Sequence, residues 1–198
     1  WPECQISVSN SLDERLIQNL FLQGAQIDMF GVGERMITAK SEPVFGGVYK
    51  LTAVENDKGE IIPKIKCSEN VEKITIPHFK KVYRLYNKDN GKAIADYMTV
   101  HDEVVDENEP LMLFDPYATW KTKNVCNFEA RELLVPVFLN GKKVYQSPTL
   151  KDIQAYCKQQ VNTLWDEIKR FDNPQTYYVD LSQKLWDIQQ ELLWKNRN

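Results

Sequence analysis

The fold of this chain is decided by residues 5–33, which read QISVSNSLDERLIQNLFLQGAQIDMFGVG. The pattern is a short apolar strand, an amphipathic helix, a second short apolar strand and a glycine loop. Ile6 and Val8 mark the first strand, and Ile27 and Phe30 mark the second. Strands joined by a helical crossover of this length typically pair in parallel. The stretch therefore predicts part of a parallel α/β sheet.

The helix of this unit carries its own start and stop signals. Ser11 is the predicted N-cap, and Glu14 stands three residues later, which completes a capping box. Gly24 is expected to end the helix. One helical face is apolar and is expected to cover the sheet; it consists of Leu12, Leu16, Ile17, Leu20 and Phe21.

Small polar residues follow the first predicted strand, and glycines follow the second. In parallel α/β sheets, ligands bind beyond the carboxyl ends of the strands. Backbone N–H groups freed by glycine turns and helix N-termini are suited to phosphate there. The sequence thus predicts two adjacent phosphate sites, although an isolated Gly-x-Gly such as Gly31-Val-Gly33 also occurs as a plain tight turn.

Composition limits the possible functions. The chain has 198 residues and a formal net charge of −3, which gives no indication of a nucleic-acid groove. No apolar run approaches the roughly 20 residues of a membrane span. The four cysteines are widely scattered, with only two histidines beside them, so no zinc pattern arises and reduced thiols in the cytosol are expected. These residues are Cys4, Cys67, Cys126, Cys157, His78 and His101.

The middle of the chain predicts three antiparallel hairpins. Residues 46–54 and 61–66 flank a turn at 56–59, and residues 81–86 and 93–100 flank a turn at 87–91. Asn140-Gly141 is the preferred dipeptide of a two-residue hairpin loop, here between strands at 135–138 and 143–145. The acidic stretch from residue 101 to 110 is expected to be a solvated loop.

Two helices are predicted at the end of the chain. Ser147 caps the first with Pro148 at its first position, and an apolar stripe runs along it. Asp180 caps the second with Gln183 at N3. Trp165, Trp186 and Trp194 are interpreted as packing residues. The first stripe consists of Leu150, Ile153, Tyr156, Cys157, Leu164 and Ile168, and the second of Leu181, Leu185, Ile188 and Leu192.

These elements divide the chain into three predicted regions. Residues 1–55 carry parallel βα units with phosphate-binding loops, 56–146 an antiparallel β region with connecting loops, and 147–198 the terminal helices. The chain opens with Trp1-Pro2 and leads almost directly into a strand. Because a βαβ half-unit cannot close a sheet alone, we expect a fragment whose upstream part supplied earlier strands.

Several motifs in this order resemble nicotinate phosphoribosyltransferase, most closely its bacterial form, over nearly the whole chain. The resemblance corresponds to the C-terminal part of that enzyme. The matching stretches are Ser7-Val-Ser-Asn-Ser-Leu-Asp-Glu14, Gly24-Ala-Gln-Ile-Asp-Met-Phe-Gly-Val-Gly33, Gly46-Gly-Val-Tyr-Lys-Leu51, Lys80-Lys-Val-Tyr-Arg-Leu-Tyr86, Phe114-Asp-Pro116, Ala130-Arg-Glu-Leu-Leu-Val-Pro-Val137 and Thr176-Tyr-Tyr-Val-Asp-Leu-Ser182.

The resemblance implies the first step of NAD salvage. Nicotinate and phosphoribosyl pyrophosphate give nicotinate mononucleotide and pyrophosphate, driven by ATP hydrolysis through a phosphohistidine, with Mg²⁺ on the pyrophosphate. It also implies a cytoplasmic homodimer and a fold that ends an irregular α/β barrel with parallel strands, followed by an antiparallel β region and C-terminal helices. The catalytic aspartates, the base-recognition residues and the main ATP and Mg²⁺ sites would lie outside this chain, so the chain alone is expected to be inactive.

Site residues carried over from the family are restricted to the ribose and 5′-phosphate end. Glu34 stands where many relatives have a small hydroxyl residue, and we expect its carboxylate to point away from phosphate. Arg35 and Lys40 are candidate counter-charges. His101, beside Asp102, is interpreted as a surface residue, because the family's phosphorylated histidine lies upstream. The predicted phosphate and ribose contacts are Ser9, Asn10, Ser11, Gly31, Gly33 and Glu34.

Two alternative functions stay open. The chain could be a non-catalytic module for packing or dimerisation, with purely structural glycines. It could also belong to a related phosphoribosyltransferase acting on a different base, because the residues that choose the base would lie upstream.

Overall fold

A computed structural model describes residues 1–44 and 46–196. The chain forms a mixed α+β structure of two compact units, Trp1–Tyr49 and Lys50–Asn198. The last two residues of the predicted region 147–198 lie outside the described residues. Within the described residues, no helix is long and apolar enough to cross a membrane.

The first unit contains the βαβ arrangement that the sequence predicts. Strand β1 (Ser7–Ser9) and strand β2 (Met29–Gly31) pair in parallel, and Val8 lies opposite Phe30. Helix α1 (Glu14–Leu22) connects them, and Gly24 follows its end with a φ of 81°. The four-residue helix α2 (Glu34–Ile37) follows β2.

The predicted capping box at Ser11 and Glu14 is wrong. Asp13 is the N-cap of α1, and its side chain accepts a hydrogen bond from Leu16 N at 2.8 Å. Asn10 and Ser11 instead adopt left-handed backbone conformations with φ of 89° and 52°. The helix therefore begins two residues later than predicted, because the carboxylate of Asp13 satisfies an amide of its first turn.

The second unit is built mainly from antiparallel strands. Its elements follow in this order: β3 (Ala53–Glu55), β4 (Ile61–Pro63), a 3₁₀ turn (Val71–Lys73), β5 (Lys80–Asn87), β6 (Ala93–Val100), β7 (Leu111–Asp115), β8 (Ala118–Val125), β9 (Phe128–Glu132), β10 (Phe138–Leu139), β11 (Lys142–Lys143), α3 (Leu150–Thr163), β12 (Val179–Leu181) and α4 (Gln183–Lys195).

All three predicted hairpins are present. β3 pairs with β4, β5 with β6 and β10 with β11, each antiparallel. The Asn140-Gly141 turn has positive φ at both residues, 49° and 74°, as a tight hairpin loop requires. Residues 46–52 are not part of a strand, so the first hairpin is shorter than predicted.

The main sheet has four strands in the order β12-β6-β5-β9, with β12 parallel to β6. Two apolar clusters stabilise the second unit. The first cluster contains Tyr83, Leu85, Ala95, Tyr97, Leu113, Val125 and Phe128. The second contains Val100, Leu181 and Leu185, with Trp186 and Ile188 packed against it.

Both terminal helices exist, but their predicted caps are wrong. Thr149 caps α3 and forms a reciprocal capping box with Asp152, which starts this helix after Ser147 and Pro148. Ser182 caps α4 by accepting a hydrogen bond from Leu185 N at 3.2 Å. Asp180 belongs to β12, because residues 179–181 pair with β6 in register.

The three tryptophans predicted to pack do not share one environment. Trp165 Nε1 donates to Ala93 O at 3.1 Å, and Trp186 Nε1 donates to Pro116 O at 3.2 Å. Trp194 is 70% exposed. The packing interpretation is therefore confirmed for Trp186, which packs against the second cluster, whereas Trp165 is 43% exposed and most of the Trp194 surface faces solvent.

Candidate functional site

The predicted phosphate loops lie side by side because β1 and β2 are adjacent parallel strands. Ser9 stands opposite Gly31 at the end of the pairing. A Cβ atom placed on Gly31 would lie 3.1 Å from Ser9 Cβ, so the two backbones approach closely at this point. The polar turn after β1 and the glycine loop after β2 therefore meet at one edge of the sheet.

A cavity of about 330 Å³ opens at this edge of the first unit. Seven of the eight predicted contact and counter-charge residues line it, and Ser9 lies beside them through its pairing with Gly31. The residues that line the cavity are Asn10, Ser11, Leu12, Gly31, Gly33, Glu34, Arg35 and Lys40.

Two residues that line this cavity, Glu34 and Arg35, open the short helix α2. The first hydrogen bonds inside α2 run from Met36 N and Ile37 N to Gly33 O. The amides of Glu34 and Arg35 precede those donors, and the opening amides of a helix have no partner within it. They can therefore donate to an anion, which is the chemistry that phosphate binding needs.

The turn after β1 holds two successive non-glycine residues in the left-handed region. Asn10 has a φ of 89° and Ser11 a φ of 52°. Each such conformation costs free energy of the order of 1–3 kcal/mol, and such residues are concentrated at ligand sites. The strained turn lines the cavity, which is consistent with a binding role for it.

Charges around the cavity are partly paired. Arg35 forms an ion pair with Asp13, and a hydrogen bond joins the same groups. The Leu16 amide and, after it, the Arg35 guanidinium hold the pKa of Asp13 below its usual range, so Asp13 stays ionised. Glu34 and Lys40 are both exposed and line the cavity.

Asp13 was missed by the sequence analysis. It is the carboxylate that fixes the start of α1 and contacts Arg35 across 22 residues of chain. An aspartate directly before an apolar helical stripe is a standard N-cap signal, and this signal competes here with Ser11. Its pairing with Arg35 left no sequence signal.

The two histidines lie next to each other in the second unit. Their ring centroids are 5.8 Å apart, and the His101 ring lies 5.0 Å from that of Phe79. His101 Nδ1 is buried and has no hydrogen-bond partner among the described residues. His101 is half-buried and its ring packs against His78 and Phe79, so it is less exposed than the surface interpretation expects.

In the part of the chain that the structure describes, no group of three or more His, Cys, Asp or Glu side chains is arranged to hold a metal ion. All four cysteines are free thiols at exposed positions.

Comparison with known proteins defines the class of this chain. The family of nicotinate phosphoribosyltransferase C-terminal domains matches residues 79–189. The chain belongs to this family. That match covers the main sheet of the second unit, all of α3 and about half of α4.

Individual relatives extend the similarity into the first unit. A nicotinate phosphoribosyltransferase of Bacillus subtilis is 43% identical over 186 residues, which are 94% of this chain and 38% of that protein. One of Caenorhabditis elegans is 34% identical over 99% of this chain and 34% of its own length. The chain thus spans little more than a third of these relatives.

A solved structure supports the fold. The crystal structure of human nicotinic acid phosphoribosyltransferase superposes with a TM-score of 0.69 at 22% identity. The superposition covers 96% of this chain and 33% of the human chain. At this identity the likeness concerns the fold alone.

Proposed function

We propose that this chain is the C-terminal part of a nicotinate phosphoribosyltransferase and holds the ribose and 5′-phosphate side of its active site. The enzyme would convert nicotinate and phosphoribosyl pyrophosphate into nicotinate mononucleotide and pyrophosphate, with ATP hydrolysis, in the salvage of NAD. Family membership and the names of the relatives support this function. The cavity at the carboxyl ends of β1 and β2 supports the assignment of the phosphate site.

The chemistry suits the residues in the cavity. Transfer of a phosphoribosyl group passes through an oxocarbenium-like state, so positioning and charge stabilisation provide most of the catalysis. The amides of the glycine loop would hold the 5′-phosphate far from the reacting carbon. Binding energy from such a remote group can be used to orient the reacting centre.

Cofactors and partners of the whole enzyme are part of the same proposal. Among the described residues, no group of three or more His, Cys, Asp or Glu side chains is arranged to hold a metal ion. We assign Mg²⁺ and ATP mainly to residues outside this chain and derive no step through them. Dimerisation, cytoplasmic location and a barrel that continues the β1–β2 sheet are further proposals from the family resemblance.

An activity assay tests the function. The chain is incubated with nicotinate, phosphoribosyl pyrophosphate, ATP and Mg²⁺, alone and with the upstream segment of the Bacillus subtilis relative added. Nicotinate mononucleotide should form only in the mixture. Product from the chain alone would contradict the assignment of the catalytic residues to the upstream segment. No product from a mixture of two folded segments would contradict the proposed function.

The phosphate site has its own test. Titration of the ¹⁵N-labelled chain with ribose 5-phosphate should shift the Gly31 and Gly33 amide signals to saturation. The amides of Gly59 and Gly141, which lie in turns of the second unit, are the controls. Equal shifts at all four glycines would show that ribose 5-phosphate does not bind specifically at this loop.

The packing alternative is favoured by one observation. The outer face of α3 is apolar yet exposed: Leu150 is 71%, Ile153 48% and Tyr156 57% accessible. An apolar patch of this kind marks an interaction surface. Sedimentation of the chain with and without the upstream segment distinguishes self-association from packing against that segment.

A further inference from the structure

A second cavity lies in the second unit and has no part in the proposed phosphate site. Its volume is about 420 Å³, within the range of small-molecule sites. Strands β6, β7, β8 and β12 and the segment before β12 supply its walls. Its lining includes Ala95, Leu113, Asp115, Lys121, Tyr178 and Asp180.

Asp180 is the unusual residue of this cavity. Only 5% of its surface is exposed, and it stands opposite Tyr97 in the β12–β6 pairing. Its carboxylate has no hydrogen-bond partner among the described residues, although buried carboxylates are normally paired. Burial, and secondly the charge of Asp115, raise the pKa of Asp180 to about 6. The cavity therefore presents a carboxylate to which no described residue donates a hydrogen bond.

Asp115 contributes a second carboxylate, which, unlike that of Asp180, accepts hydrogen bonds from the protein. Its Oδ1 accepts from Tyr117 N at 2.9 Å and from Ala118 N at 3.1 Å. Its Oδ2 lies 3.9 Å from Lys121 Nζ. Asp115 is thus hydrogen-bonded by its own turn and lies within ion-pair distance of Lys121, whereas no described residue donates a hydrogen bond to the Asp180 carboxylate.

The rest of the wall is apolar and aromatic. Ala95 and Leu113 belong to the first apolar cluster, and Tyr178 lies beside them. A neighbouring cavity of about 470 Å³ shares Tyr178 and is also lined by Trp165 and Tyr177. The two cavities offer room for a flat apolar group next to the Asp180 carboxylate, and aromatic faces also attract cations.

The donor set does not suit a metal ion. Asp115 is already hydrogen-bonded by its own turn, so of the two carboxylates only Asp180 is open to a ligand, which is fewer protein oxygens than a Ca²⁺ site normally uses. No metal-binding group of three such side chains is present among the described residues. An organic cation with N–H donors is the chemistry that the unpaired carboxylate fits.

We propose that this cavity binds a small organic cation, an amidinium, guanidinium or primary ammonium group on a flat apolar body, whose N–H groups donate to Asp180. The cation would supply the hydrogen bonds that the carboxylate lacks, and the apolar body would lie against Tyr178 and Leu113. This site is independent of the proposed enzymatic function, because it belongs to the second unit and none of its residues lines the phosphate cavity.

A matched pair of probes tests the proposal. Benzamidine and benzamide have nearly the same shape, but only benzamidine carries a positive charge. In NMR titrations of the ¹⁵N-labelled chain at about pH 7.5, benzamidine should shift the amides of Leu113, Tyr178 and Asp180. Benzamide should bind roughly tenfold more weakly, because it lacks the charge-assisted hydrogen bonds.

Two variants assign the effect to Asp180. Asp180→Asn should bring benzamidine and benzamide to similar affinity, whereas Asp57→Asn, at an exposed turn outside the cavity, should leave the difference unchanged. Equal binding of the two probes by the unmodified chain would overturn the proposal. So would an unchanged preference in Asp180→Asn; if that variant does not fold, the comparison of probes on the unmodified chain decides alone.

Discussion

Asp13 and Arg35 form an ion pair that connects the start of α1 to α2. Asp13 uses its other carboxylate oxygen to cap α1, at 2.8 Å from Leu16 N. Both contacts are made by the side chain of Asp13, which does not itself line the phosphate cavity, whereas Arg35 does. The pairing involves only one nitrogen of the guanidinium, so Arg35 has further donors for an anion.

This relationship separates two roles for Arg35. If Arg35 binds phosphate, Arg35→Gln should weaken the ribose 5-phosphate affinity roughly threefold to tenfold, because a charge-assisted hydrogen bond is lost. Asp13→Asn should keep the helix cap, since asparagine is an equally good N-cap, and should not weaken phosphate binding. The measurement is the titration of the Gly33 amide signal. Similar losses in both variants would indicate that Arg35 only stabilises the local structure.

Gly33→Val tests the glycine loop in a full-length enzyme that carries these residues. A Cβ atom at Gly33 meets nothing within 4 Å, so the change does not clash with the protein and instead places methyl groups at the cavity. The Michaelis constant for phosphoribosyl pyrophosphate should rise about tenfold or more, because each loss of remote binding energy of 1.4 kcal/mol is a factor of ten.

The control for this change is Gly46→Val. A Cβ at Gly46 also meets nothing within 4 Å, and Gly46 does not line the cavity. The Michaelis constant of the Gly46→Val enzyme for phosphoribosyl pyrophosphate should stay within about twofold of that of the unmodified enzyme. An unchanged Michaelis constant in Gly33→Val would show that the glycine loop does not contact the substrate.

Local sequence patterns predicted the parallel pairing of β1 and β2 and the tight turn at Asn140-Gly141. Both depend on short-range signals, namely strand–helix–strand spacing and a dipeptide that tolerates positive φ. The association of Asn10, Gly33 and Lys40 in one cavity follows from that pairing, because carboxyl ends of parallel strands meet at one edge. This part of the candidate site was therefore accessible from the sequence.

Two features that the sequence analysis predicted wrongly, the caps of α1 and α4, depend on contacts between residues far apart in the chain. Ser11 and Asp13 are both good N-caps, and the pairing of Asp13 with Arg35 accompanies the choice of the second. Asp180 has the pattern of an N-cap with Gln183, but pairing with β6, more than 80 residues earlier, draws it into a strand. That misassignment hid the carboxylate of Asp180, since β12 also packs against β7, a distant part of the chain.

The pH dependence of stability should report the environment of Asp180. The folded chain holds the Asp180 proton more tightly than the unfolded chain, because burial and Asp115 raise its pKa from 3.8 to about 6. The resulting contribution to stability is fully present below about pH 4 and is lost as the pH rises through about 6. Tyr97, Lys121 and Lys123 also face or flank this group.

The Asp180→Asn side chain cannot ionise, so this variant should not lose stability as the pH rises. Its melting temperature relative to the unmodified chain should therefore increase between about pH 4.5 and about pH 7.5. Asp57→Asn, at an exposed turn, is the control and should show no such trend. A constant difference between the two proteins across this range would mean that the Asp180 carboxyl is not perturbed by its surroundings.

The ion pair between Arg84 and Asp96 should be the largest single electrostatic contribution to the second unit. Arg84 Nε and Nη2 donate to the two carboxylate oxygens at 2.8 and 2.9 Å, and Tyr177 OH donates to Asp96 at 2.9 Å. The two side chains are only 22% and 14% exposed. The Asp96 hydrogen bonds raise the pKa of Arg84, which keeps it charged.

Arg84→Met should lower the free energy of unfolding by about 2–3 kcal/mol, because it leaves Asp96 buried with Tyr177 alone. Lysine cannot replace the two-pronged contact, so Arg84→Lys should still lose about 1 kcal/mol. The matched control is Lys81→Met on the same strand, whose partner Glu132 is 4.0 Å away in an exposed pair; it should change stability by no more than about 0.5 kcal/mol. Denaturant unfolding measures the free energy of unfolding of all three variants. Equal losses in Arg84→Met and Lys81→Met would show that burial does not strengthen the Arg84–Asp96 ion pair.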